Sequence, residues 1–211
     1  MTDNKHINHA QASEIRPDYR VILGMVDAGS RVLDLGCGGG ELLELLSREK
    51  EVTGQGVEIE PNNISACVGR GVSAIQGDVD EGLADYPDRS FDYVILNQTL
   101  QVVRAPDRVL TEMVRVGRAG IVGFPNFGYW EVRLRLLFGG RMPVTEELPY
   151  SWYSTPNIHM LSIKDFEEFC TEAGIEIMAR EYVTRGGGRA PSALSNIAAA
   201  EAVYMIKKNG D

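Results

Sequence analysis

Cationic charge, cysteine and long apolar runs are what this sequence has least of. Lysine and arginine number 21 against 30 aspartate and glutamate, a formal net charge of -9. Such a surface repels phosphate backbones and anionic membranes unless its basic residues gather on one face, which argues against nucleic acid and membrane as partners. Cysteine is limited to Cys37, Cys67 and Cys170, an odd number with no CxxC spacing. That suggests neither a disulfide framework nor a metal site and fits a reducing cytoplasm. No stretch approaches the roughly 20 apolar residues of a membrane span, and the opening MTDNKHINHAQASEIRPDYR is polar throughout, so export is not expected. Internal repeats and low-complexity tracts are absent as well.

What is present has the balance of a folded domain. With 44% apolar and 24% charged residues over 211 positions, one globular domain is expected over residues 16–211, after a polar arm at 1–15. Short β-branched runs alternate with segments of helical period, the pattern of a mostly parallel sheet with helices on both faces, an α/β fold. Strands are expected at 31–35, 54–60, 72–76, 91–97, 120–125, 176–183 and 200–207, with helices at 41–49, 62–70, 107–116 and 162–174. Ser162 caps the last of these helices and Gly174 ends it. Residues 126–157 break the rhythm with proline, glycine and aromatics, with a helix near 131–138, and read as a functional insertion. The stretch RGGGRAPSALSNIAA reads as a flexible, solvated connection.

The chemistry concentrates after the first strand. From Asp34 the chain runs DLGCGGG, placing glycines at 36, 38 and 40 between a strand and a helix. Glycine is needed where the backbone turns sharply and where a ligand approaches main-chain atoms. A dinucleotide fingerprint would put its last glycine at position 41, which is Glu41, and a carboxylate there opposes a pyrophosphate at the helix N-terminus. The acids instead suit S-adenosylmethionine, whose ammonium and sulfonium are positive. Glu58, 22 residues past Gly36 at the end of the second strand, is placed to accept from both ribose hydroxyls, or is a surface glutamate. Asp78 is placed for the adenine amine with Val79 beside the ring, or caps a turn. Asn97 ends the fourth strand, where it faces the methyl group or substrate, or serves a plain turn. Cys37 of the loop and Ile59 beside Glu58 complete the expected cofactor contacts.

These motifs resemble class I methyltransferases, whose fold is Rossmann-like and seven-stranded. From about Arg16 to Val183 the chain more specifically resembles the MetW family of methionine-biosynthesis proteins. The segments that carry this are RVLDLGCGGGELL, GVEIE, RGVSAIQGDVDEGL, NQTLQVVRAPDRVLTEMVRVGR, FPNFGYW and GRMPVTEELPYSWYSTPNIHMLSIKDFEEFC. The resemblance implies a role in making methionine, in company with a homoserine O-acyltransferase of the MetX type whose activity the family member supports. Carried over onto this sequence, it implies cofactor roles for Asp34, Gly36, Gly38, Glu58 and Asp78. Gly39 stands where the family usually has an acid.

Methyl transfer asks mainly for orientation, so no catalytic residue is singled out. His159 suits a base by its chemistry but reads as a structural hydrogen-bonder in its Pro- and Asn-rich setting. The aromatics Phe124, Phe127, Tyr129, Trp130, Tyr150, Trp152 and Tyr153 are expected over the cofactor mouth, as a substrate lid, a docking surface with Arg133, Arg135 and Arg141, or a packed insertion. Two functions are carried forward: an S-adenosylmethionine-binding accessory subunit of homoserine acylation, and a small-molecule methyltransferase.

Overall fold

A computed structural model describes residues 15–210. All of the expected polar arm but Ile15 lies outside the described residues. In chain order the elements are α1 (Pro17–Met25), β1 (Arg31–Leu35), α2 (Glu41–Lys50), β2 (Thr53–Glu58), α3 (Pro61–Gly69), β3 (Ser73–Gln76), β4 (Phe91–Asn97), α4 (Pro106–Val116), β5 (Gly117–Pro125), α5 (Trp130–Gly139), α6 (Ile163–Glu172), β6 (Ile175–Val183), α7 (Ser195–Ala198) and β7 (Glu201–Lys208). No helix among the described residues is long and apolar enough to cross a membrane.

The seven strands form one sheet in the order β3-β2-β1-β4-β5-β7-β6. The first five pair in parallel, and β7 inserts antiparallel between β5 and β6. The two-residue period of a strand sends alternate side chains to opposite faces. Leu33, Leu35, Val94, Leu96, Val122, Phe124 and Tyr204 pack under α4 and α6. Val32, Ile95, Ile121 and Val203 pack with Ile22 of α1, Leu42, Leu43 and Leu46 of α2, and Cys67 of α3. The central strands are covered on both faces, which is why they read as near-continuous apolar runs.

α6 starts where Ser162 and Asp165 form a reciprocal capping box, and the chain leaves it through Gly174 at φ +65. Three features differ from the sequence reading. α1 stands before β1, where the sequence reading assigned no element, with Pro17 at its first turn and Asp18 buried against the sheet. The connection expected to be flexible carries a 3₁₀ turn and α7. Its carbonyls at Asn196 and Ala199 accept from the buried Asn126 Nδ2, at 3.2 and 2.8 Å. Phe124, expected over the cofactor mouth, lies fully buried, with its ring 5.0 Å from Phe166 and 5.9 Å from Tyr204. Strand alternation turns it into the core.

Candidate functional site

At the C-terminal ends of β1, β2 and β3 lies a cleft of about 280 Å³ lined by Gly36, Glu58, Ile59, Asp78, Val79, Thr99 and Arg104, with Gly77, Asp80, Val102 and Val103. Parallel α/β sheets present this end of their strands to ligands. The turn after β1 is held by Gly36 and Cys37, whose N–H groups donate to Val57 O at 2.8 and 3.2 Å. Gly36 sits at φ +74, and a Cβ there would come 2.5 Å from Thr99 Oγ1. Gly38, at φ +56, leaves only open space where its Cβ would be. A side chain on either is strained, and on Gly38 it would stand in the room the loop leaves free.

Glu58 organises the floor. Its Oε2 accepts from Gly38 N at 2.8 Å, and its Oε1 from Ile59 N and Glu60 N, both at 2.9 Å. A carboxylate offers about four lone-pair sites, so three backbone donors leave it acceptor capacity. The acid expected to serve a ligand therefore also fixes the glycine loop, although only 7% of it is exposed. Asp78 Oδ1 accepts from Asp80 N at 2.9 Å, so the turn-capping alternative describes half of this residue, while the residue lines the cleft. Asp34 lies below the loop, fully buried, and burial pushes its carboxyl up to about 7, with the charge of Glu58 adding.

The remaining expected contacts point elsewhere. Cys37 Sγ turns inward to Cys67 Sγ at 3.9 Å, and both thiols are free. Asn97 shares the α1 face with Asp34, and its Nδ2 donates to Asp18 Oδ2 at 2.8 Å. Asp18 also holds the Arg16 guanidinium at 2.6 Å. None of the seven aromatics lines this cleft. Phe127, Tyr129, Val132 and Leu148 pack around Ala200 instead, and Trp152 and Tyr153 stand 75% and 76% exposed. The backbone N–H of His159 donates to Gln101 O at 3.1 Å, which ties the chain just past the insertion to the segment after β4.

Sequence reasoning missed that segment as a wall of the cleft. Gln98 takes φ +57, rare for a residue with a side chain, and donates its N–H to Gly123 O at 2.7 Å. Asp80 then accepts from Arg104 N and Ala105 N, locking the wall to the turn after β3. The run NQTLQVVRAP, one of the segments that carry the family resemblance, has no glycine punctuation, so its place at the end of a parallel strand is the signal that could have marked it as a cleft wall.

Comparison with known proteins follows the same lines. A methyltransferase from Mesorhizobium loti, described as S-adenosylmethionine-dependent, superposes with a TM-score of 0.67 at 13% identity, over 92% of this chain and 98% of that one. Another from Archaeoglobus fulgidus gives 0.66 at 16% identity, over 90% and 91%. These likenesses establish the class I methyltransferase fold. The bifunctional methionine biosynthesis protein MetXA/MetW of Rhodopirellula baltica is 38% identical over 169 residues, covering 76% of this chain and 27% of that protein. The chain thus spans about a quarter of that relative's length. The family described as "Methionine biosynthesis protein MetW" matches residues 16–206, and the chain belongs to the MetW family.

Proposed function

We propose that this chain is an S-adenosylmethionine-binding accessory protein of methionine biosynthesis, which acts with a homoserine O-acyltransferase and adjusts its rate to cofactor supply. The observation that carries the reading is the Rhodopirellula relative, whose name joins MetXA and MetW in one protein. Covalent joining raises the effective concentration of one part at the other, an arrangement suited to parts that act together.

The cleft supports the cofactor half. Ile59, 52% exposed, and Val79 offer apolar faces to a base. Glu58 and Asp78 offer carboxylate acceptors to ribose hydroxyls and an exocyclic amine, and Asp34 offers negative charge to a cationic methionyl end. Bound there, S-adenosylmethionine would supply an activated methyl group and, as a product downstream of methionine, a measure of pathway output. Control of the acyltransferase then requires that the cofactor bind the free and partnered forms with different affinity.

Calorimetric titration with S-adenosylmethionine tests the site. Saturable binding is expected, weakened by roughly 1.5 to 3 kcal/mol in Glu58→Ala and in Asp34→Ala, the cost of losing a hydrogen-bonded charge. Unchanged affinity in both variants would contradict it. The second reading, a small-molecule methyltransferase, draws on the glycine loop with Glu58 and Asp78 at the strand ends. It predicts S-adenosylhomocysteine release when methionine-pathway metabolites are supplied, and fails if none supports turnover.

A further inference from the structure

α5 is inverted relative to an ordinary surface helix. Trp130, Leu134, Leu137 and Phe138 fall at i, i+4, i+7 and i+8, the spacing of a core-facing stripe. Here they are exposed, Leu137 by 73% and Phe138 by 81%, and only Val132 of the helix is buried. Trp130, Leu134 and Phe138 of the stripe wall an open groove of about 570 Å³ with Met142 and Val144, and Leu137 stands in solvent beside it. Polar staples at its N-terminal end hold the helix in place. Glu131 pairs with Arg135 at 2.7 Å and with Arg185, and Arg185 pairs with Glu147 at 2.7 Å. A soluble protein rarely leaves so continuous an apolar stripe uncovered unless something covers it.

The charge around the stripe narrows what that is. The groove is lined by Arg135 and Arg141 against Glu131, which pairs with Arg135, so its rim keeps the Arg141 cation in a chain of net charge -9. A second copy meeting this face across a two-fold axis would set these arginines against themselves. A partner with an apolar patch rimmed by carboxylates complements it. The chain that leaves the insertion is bonded to the wall of the cleft: Ile158 N and His159 N, just past residue 157, donate to Gln101 O at 2.9 and 3.1 Å, and Thr99, Val102, Val103 and Arg104 on either side of Gln101 line the cleft.

We propose that the outward face of α5, with the groove running to Val144, is the surface on which the homoserine O-acyltransferase docks, through an apolar patch of its own rimmed with acidic residues. The proposal rests on the accessory reading above and adds its location.

The test compares the full-length protein with its Leu137→Glu/Phe138→Glu variant for binding to the purified cognate acyltransferase, with S-adenosylmethionine affinity measured alongside. Both side chains are already in solvent, so the fold and cofactor affinity are expected to persist while acyltransferase binding falls about 30-fold or more, as for a central hot spot. A separate Arg141→Glu variant is expected to associate more slowly, with the deficit shrinking as salt rises. If the unaltered protein binds and the double variant binds equally well, the surface is elsewhere and the partnership stands. If the unaltered protein does not bind, the accessory reading falls and this surface with it. Loss of a homodimer or of adsorption to anionic vesicles in the double variant, with acyltransferase binding intact, would overturn the proposal in favour of a second copy or a membrane.

Discussion

A buried carboxyl held near 7 makes Asp34 a proton-linked contact for any cation brought beside it. The folded value lies above the ordinary 3.8, so between about pH 4 and pH 7 the native chain holds a proton that the unfolded chain has lost. Stability from this group is therefore present at low pH and is lost as pH rises through about 7. Cation binding favours the ionised form, so S-adenosylmethionine affinity is expected to climb by up to about tenfold per unit as pH rises toward 7 and to level off above it. Asp34→Asn is expected to flatten that dependence. Parallel titrations from pH 5.5 to 8.5 check this, and equal slopes in both proteins would contradict it. Gly36→Ala combines a positive φ with the approach to Thr99. It is expected to lower stability by about 1 to 2 kcal/mol and to weaken cofactor binding, read by urea denaturation and calorimetry. The sequence made the glycine turn and the acids at the strand ends visible because their chemistry is local. It could not show that Cys37 turns to Cys67, or that Asn97 is engaged by a carboxylate 79 residues away.

β1, β4 and β5 were legible as apolar runs buried on both faces, and α2 and α4 by the apolar stripe each turns to the sheet. α1 was not, because its nine residues carry no capping side chain and bury only Asp18 and Ile22. The FPN and TPN segments, which marked the family without a role, have physical ones here. Asn126 is 2% exposed and takes four bonds: its Nδ2 donates to Ala199 O and Asn196 O, and its Oδ1 accepts from Gly128 N and Ile163 N. One side chain thereby joins the end of β5 to α6, α7 and the insertion. In the second, Thr155 Oγ1 accepts from Asn157 N at 3.0 Å, just before the bonds to Gln101. Asn126→Ala leaves buried donors and acceptors without partners and is expected to cost roughly 2 to 3 kcal/mol. The urea midpoint measures it, and a loss below about 0.5 kcal/mol, the range of an inert surface change, would show that the junction does not depend on it.

In the assembled molecule the cleft at one end of the parallel strands is hydrogen-bonded, through Gln101, to the chain that follows the insertion, and the insertion's helix α5 carries an uncovered apolar face. The order β5-β7-β6 and the outward turn of α5 depend on pairings between distant segments, which no local pattern encodes. Asp34, Glu58, the segment after β4 and α5 matter together if cofactor occupancy is to reach a partner, and a shift in that partner's rate must come from different cofactor affinities in the two states. The most direct measurement is the rate of homoserine acylation by the cognate acyltransferase, with and without this protein, across a range of S-adenosylmethionine concentrations. The account predicts a rate that rises when the protein is present and changes with the cofactor only in its presence. A rate indifferent to the protein at every cofactor concentration would contradict it.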